Sequence, residues 1–201
     1  MRGNRIVAAS EIIEKAAIAP NRNMWLQNAS AMASRIASIP YIDTVVVHRV
    51  PRGTVSIVVT ERAPFGVVET RDSRALVDRD LRVLRESDSN EALFMPVLSV
   101  RETLDLAPGT FVRDPLLRRL RDDEDALARR NVRPAVLTTD RFGQLVVTLR
   151  GGVRLLLGDD EDLESKLPLI VPILEQLKRA GKAVSVLDLR APGTPIAVYK
   201  K

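Results

Sequence analysis

IPYIDTVVVHRVPRGTVSIVVTER, residues 39–62, holds two runs of alternating character joined by a tight turn. In the first, Val45 and Val47 share a face opposite Thr44 and His48. In the second, Val55, Ile57 and Val59 oppose Ser56 and Thr60. A period of two marks strands with one buried face. Between them Pro51-Arg52-Gly53 supplies a fixed φ and a residue free to take φ > 0, so the chain reverses and pairs antiparallel. Two short helical patterns precede this hairpin. One opens at Ser10, read as the N-cap, with Glu11 in its first turn and Ile12, Ile13 and Ala16 on one side. The other opens at Asn28, places Met32, Ile36 and Ile39 at helical spacing, and stops before Pro40. Helices this short need a packing partner, and the valine face of the hairpin provides it. A two-layer module of about 60 residues follows.

A boundary is expected at Ala63-Pro64, dividing the chain into 1–64 and 65–201. Beyond it, 65–69, 74–78, 82–86 and 96–100 read as short strands. Asp114 and Pro115 cap and open a helix with Leu116, Leu117, Leu120 and Leu127 on its apolar side. Strand signals resume at 135–139, 144–150 and 153–157, the last two joined by Gly151-Gly152. The acidic run Asp159-Asp160-Glu161-Asp162 precedes a helix with the stripe Leu163, Leu167, Ile170, Leu174 and Leu177, ended at Gly181. Pro168 and Pro172 predict that this helix is kinked or begins at Pro168. The chain closes with a strand over 184–190, a turn at Ala191-Pro192-Gly193 and a strand over 196–199. The fold class is α+β, the second module being a mixed sheet with helices on one side.

The order helix, helix, I-P-x-I, V-x-V, proline turn, I-x-V, E-R-x-P is carried by Ile39 to Ile42, Val45 to Val47, Pro51, Ile57 to Val59 and Glu61 to Pro64. It resembles a POTRA domain, and in particular the one that opens the extracytoplasmic part of the FtsQ/DivIB bacterial division proteins. The downstream half agrees: Leu76-Val77-Asp78, Met95-Pro96-Val97-Leu98, Leu157-Gly158, Lys166-Leu167 inside a helix, and Leu187-Asp188-Leu189-Arg190, the most family-specific mark. The order of the motifs identifies the family, because each alone is weak. Two positions depart from it. Such chains usually carry Asp-x-x-Gly after the Leu-Val, where Arg79-Asp80-Leu81 follows Asp78 here. They also tend to have a Gly after the Leu-Pro-x-Leu segment, where this chain has Ser99-Val100.

The resemblance implies a non-enzymatic scaffold of the divisome. It would sit in the cytoplasmic membrane at the septum with this portion extracytoplasmic, anchored by a membrane helix that would precede Met1. Its C-terminal region would dock a segment of the division protein FtsB, in complex with FtsL. The POTRA part, around the first helix and Gly3 to Ile6, would help recruit other division proteins, the assembly controlling septal peptidoglycan synthesis.

The residues themselves leave two readings of the terminal ribbon, an ordinary closing strand guarded by Lys200 and Lys201 or an edge open to strand addition, and the resemblance favours the second. In Leu187-Asp188-Leu189-Arg190 the leucines point one way and the charges the other. The strand that arrives last is often an edge, whose free N–H and C=O groups can accept a partner's strand. The expected partner-binding residues are Leu187, Leu189, Arg190, Ala191, Gly193, Ile196, Val198 and Tyr199, and proline at Val198 is expected to abolish binding while the core stays folded.

Composition narrows the alternatives. With 45% hydrophobic and 3% aromatic residues, the cores are built from Val, Leu, Ile and Ala. Absence of cysteine removes disulfides, thiol nucleophiles and cysteine metal sites. The charge of +5 is spread along the chain rather than gathered in one basic face with stacking aromatics, which argues against nucleic acid. His48 is a lone solvent-side residue of a strand. The acidic runs at 122–125 and 159–162 lack the spacing of a calcium loop and fit helix chemistry. Gly151-Gly152 lacks the helix and lysine of a phosphate loop. No cofactor, metal or catalytic residue is therefore expected. The alternatives are a POTRA-type chaperone module of outer-membrane assembly or secretion, and a basic binder of nucleic acid or cell-wall polymer.

Overall fold

The computed structural model describes residues 1–19, 23–50, 53–88, 90–159 and 162–200. Two helices, α1 (Ala9–Ala16) and α2 (Ala29–Ala37), pack on the hairpin of β1 (Ile42–Val50) and β2 (Thr54–Glu61). The strands pair antiparallel with Val45 against Val59 and Val47 against Ile57. Ile12, Ala16, Ile36, Ile39, Ile42, Ile57 and Val59 form the buried cluster between the layers. The expected alternation therefore holds, and Gly53 takes φ +79° in the turn, while Pro51 and Arg52 lie outside the described residues.

Asn28 caps α2 as expected, its side chain accepting from the Ala31 N–H. Helix α1 differs. Its N-cap is Ala8, with no side-chain bond, so Ser10 lies inside the first turn, and Ile13 points to solvent while Ile12 and Ala16 are buried.

The hairpin gains a third rung from the chain start. Arg2 bridges Val58 in parallel, its N–H donating to the Ile57 carbonyl and its carbonyl accepting from Val59 at 3.0 Å each. Gly3 must be glycine there: a Cβ would stand 1.9 Å from the Val59 oxygen, and its φ is +96°. The Glu61 carboxylate then accepts the N–H groups of Arg5, Ile6 and Val7 at 3.0, 2.8 and 2.9 Å.

The second sheet has nine strands in the order β11-β10-β9-β8-β7-β6-β3-β4-β5. These are β3 (Gly66–Glu69), β4 (Arg74–Val77), β5 (Val83–Glu86), β6 (Val97–Ser99), β7 (Pro134–Thr139), β8 (Leu145–Leu149), β9 (Arg154–Gly158), β10 (Val184–Asp188) and β11 (Ile196–Tyr199). Parallel pairs β3·β6, β6·β7 and β9·β10 mix with antiparallel neighbours. Helices α3 (Pro115–Arg129) and α4 (Leu163–Arg179) cover one face, where Leu117, Leu120, Leu127, Leu163, Leu167 and Ile170 meet strand residues in one continuous core. Each such leucine contributes roughly 1.5–3 kcal/mol by leaving water. Asp114 caps α3 through the Leu117 N–H, as its sequence predicts.

Helix α4 corrects the expectation of a start at Pro168: it begins at Leu163 and runs through both prolines. Both are exposed, so the carbonyls of Glu164 and Pro168 that lose their i+4 donor face water. The buried stripe on the opposite side outweighs the lost bonds. Gly181, at φ +68°, ends the helix as expected.

The two sheets meet at Arg62. Its backbone N–H donates to the Tyr41 carbonyl at 2.7 Å, and its guanidinium reaches Asp43 at 2.6 Å on one side and Asp78 at 2.6 Å and Asp80 at 3.1 Å on the other. The Phe111 ring lies beneath both Arg62 and Arg82, at 5.6 and 5.3 Å, and Arg82 donates to the Ala37 carbonyl at 3.3 Å. Buried Asp78 also accepts the N–H groups of Asp80 and Arg82, at 2.9 and 2.8 Å. This is how the turn forms without the family's glycine: Leu81 takes φ +60° and buries its side chain, and its N–H bonds the Asp78 carbonyl at 3.1 Å.

Glu61 yields a prediction. Partial burial alone would raise its pKa, but the Ile6, Val7 and Arg5 amides, aided by the Arg5 charge, hold it below the ordinary value. A lowered folded value contributes stability that is complete above the unfolded value, about 4.3, and fades as pH falls through the folded value. Glu61→Gln is expected to cost about 1–2 kcal/mol at neutral pH. In urea titrations that difference should shrink below about pH 4; a pH-independent difference would contradict it.

Candidate functional site: the terminal sheet edge

The nine-stranded sheet ends differently on its two sides. At β5 the chain returns along the outer side: Val83 donates to Thr110 at 2.9 Å, and its carbonyl accepts from Gly109 at 2.8 Å. Val112 donates to the Leu81 carbonyl at 2.9 Å, and Arg82 bridges Phe111. At the other end β11 pairs only with β10, and among the described residues its far side carries no strand.

Register decides which groups that edge offers. Lys200 donates to the Ala183 carbonyl at 2.7 Å, and the Ser185 hydroxyl donates to the Val198 carbonyl at 3.0 Å, so Val198 and Lys200 turn their backbone groups toward β10. Alternation along the strand then sends the N–H and C=O of Ala197 and Tyr199 outward. The expectation for Val198 is thus corrected: its main chain belongs to the sheet's own ladder. The parity could not be read from residue types, because a register shift between Val184 and Val186 sets it.

The predicted site residues divide into two groups. Leu187 and Leu189 are fully buried in the core, so their side chains fix the ribbon in place and touch nothing outside. Arg190, Ala191, Gly193, Ile196, Val198 and Tyr199 are all exposed and lie together along the ribbon and its turn. Ile196 and Val198, at 58% and 51%, project from the face without helices, while Ala197 packs against the core. The Tyr199 ring receives the Lys182 ammonium at 5.2 Å.

Arg190 is folded back on Asp188. Its guanidinium and backbone N–H both bond that carboxylate, which is held below its usual pKa by the guanidinium first, against partial burial, and then by the backbone bond. Gly158 makes room beside it, since a Cβ there would meet Arg190 Cγ at 3.3 Å and Lys166 Nζ at 3.5 Å.

In the sequence Lys166 is only part of the Lys-Leu mark, with no role of its own. Its side chain is 2% exposed, and its ammonium donates to the carbonyls of Leu157 at 2.7 Å and Asp159 at 3.4 Å. It therefore fastens the end of β9, against which β10 runs in parallel.

The N-terminal sheet has an open side as well. Because Ile57 and Val59 face Arg2, β1 turns Val45, Val47 and Arg49 outward. His48 is exposed on that strand, away from the helices.

Lys166→Met keeps the apolar stem but leaves the Leu157 carbonyl without its donor. A loss of about 1–3 kcal/mol in urea unfolding is expected, and an unchanged unfolding free energy would contradict it.

Comparison with known proteins agrees with this architecture. Residues 1–62 match the family model described as POTRA domain, FtsQ-type, and residues 66–190 match that described as cell division protein FtsQ/DivIB, C-terminal. The chain is 27% identical over 194 residues to a cell division protein FtsQ of Syntrophotalea carbinolica, covering 94% of this chain and 68% of that protein. It is 21% identical over 212 residues to a cell division protein DivIB of Clostridium tetani, covering all of this chain and 77% of that one. With a two-helix POTRA module, a mixed sheet and both halves matched, the chain belongs to the FtsQ/DivIB family of cell division proteins.

Proposed function

We propose that this protein is a non-enzymatic scaffold of the divisome. It binds an FtsB-type partner, in complex with an FtsL-type one, by adding the partner's strand to β11. It thereby helps position the machinery of septal peptidoglycan synthesis, with residues 1–64 and 65–201 acting as separate recognition modules. The reading includes a membrane helix preceding the present chain; among the described residues no helix is long and apolar enough to cross a membrane.

The observation that carries it is the contrast between the two ends of the large sheet. One is covered over residues 81–83 by the chain's own residues 109–112, whereas β11 leaves Ala197 and Tyr199 outward and exposes Ile196 and Val198 beside them. An added strand would satisfy those backbone groups and set its side chains against the exposed pair.

Ala197→Pro tests this directly. Proline there removes an outward N–H and leaves the ladder to β10 intact, while Val198→Pro removes an inward one. Titrated with an FtsB-type peptide, Ala197→Pro is expected to bind at least about tenfold more weakly, a loss near 1.4 kcal/mol, with an unchanged unfolding midpoint. Val198→Pro should lower that midpoint. Full-strength binding by Ala197→Pro would reject β11 as the docking strand.

A further inference from the structure

The end of the POTRA module farthest from the large sheet carries two exposed apolar side chains held out by polar bonds. Trp25 and Leu26, 60% and 85% exposed, sit in a single 3-10 turn between α1 and α2. The turn is well fastened. Gln27 both accepts from the Ala19 N–H at 3.0 Å and donates to the Ala19 carbonyl at 2.9 Å, as a strand partner would. Asn23 accepts the Trp25 N–H at 3.0 Å through its side chain and the Leu26 N–H at 3.1 Å through its carbonyl. A turn tied down this way presents its apolar residues, where a loose one could fold them under.

The surroundings are basic. Arg49 donates to the Trp25 carbonyl at 3.3 Å, so its guanidinium stands beside this turn. Residues 1–62 contain eight Lys or Arg against four Asp or Glu. Two of those four acids, Asp43 and Glu61, are engaged at the opposite end by Arg62 and by the amides of residues 5–7.

Direction supplies the remaining argument. β2 is about 25 Å long and leads into Arg62 and the large sheet. Arg2 runs parallel to it, beside Val58, with residues 5–7 toward Glu61, so Met1 lies toward the hairpin turn. Arg49 pairs with Val55 next to that turn, which puts Trp25 and Leu26 at the same end. The chain therefore enters the module on the side where these two residues stand.

We propose that this tip rests on an anionic bilayer, with Trp25 and Leu26 in the headgroup–acyl boundary and Arg49 among the phosphates. The inference rests on the reading of a membrane segment upstream. It makes the POTRA module a body seated on the membrane and directs the large sheet away from it.

Trp25 is the chain's single tryptophan, so its fluorescence reports directly. With the full chain, vesicles containing phosphatidylglycerol should shift its emission to the blue and carry the protein down on sedimentation, whereas pure phosphatidylcholine vesicles should bind much less. Leu26→Ser should weaken binding about tenfold and Arg49→Gln about fivefold. Ala197→Pro should leave it unchanged, so a failed docking strand and a failed membrane contact are told apart. An unmoved emission, Leu26→Ser binding like the parent, or an equal blue shift with soluble polyphosphate would each overturn the proposal.

Discussion

Backbone hydrogen bonding at the margins of a sheet is the constraint around which this molecule is arranged. A nine-stranded sheet and a hairpin present four margins, each a row of donors and acceptors that must find protein or water. The chain covers part of two. Residues 109–112 return along the start of β5, and the single rung at Arg2, secured by Glu61 on the three following amides, covers β2 at Ile57 and Val59. Among the described residues, β1 and β11 carry no further strand on their outer sides. The two leucines of the family's terminal tetrapeptide serve this arrangement from inside, because their burial holds β10 firmly enough for a four-residue strand to lie beside it.

Much of this was legible from residue types. Strands around glycine pairs, the Asn28 and Asp114 caps and the valine face of the hairpin follow from local chemistry that the tertiary fold leaves intact. Misreadings arose where tertiary burial overrode local preference. Ser10 has the chemistry of a cap, but the helix, with Ile12 and Ala16 buried, starts two residues earlier than a Ser10 cap allows. The prolines of α4 each remove an interior bond and crowd the preceding turn, but both lie on the exposed side, and sequence alone does not say that the buried stripe carries the helix through them. Along the terminal ribbon the strand was legible but its parity was not, since one register shift at Ser185 decides which main-chain groups look outward. The Trp25–Leu26 turn lacked any periodic signal and became visible only through its polar clamps.

Glu61 and Arg62, adjacent in sequence, do opposite tasks. Glu61 binds the chain's beginning to the hairpin, and Arg62 binds the hairpin to the large sheet through three carboxylates. The family's E-R pair is thus a joint as well as a strand end. The departure at Leu81 is absorbed there, because Asp78 both receives Arg62 and organises the turn that a glycine would otherwise make.

The parallel sense of the Arg2 rung has a mechanical consequence. If tension is applied between the residue before Arg2 and the strand leaving β2, the two segments are drawn in opposite directions along their length. The rung and the Glu61 amide bonds are then loaded in shear and must yield together, where an antiparallel start would peel apart bond by bond. A tether joined at this point would transmit force into the rest of the protein without first unravelling the small domain that receives it.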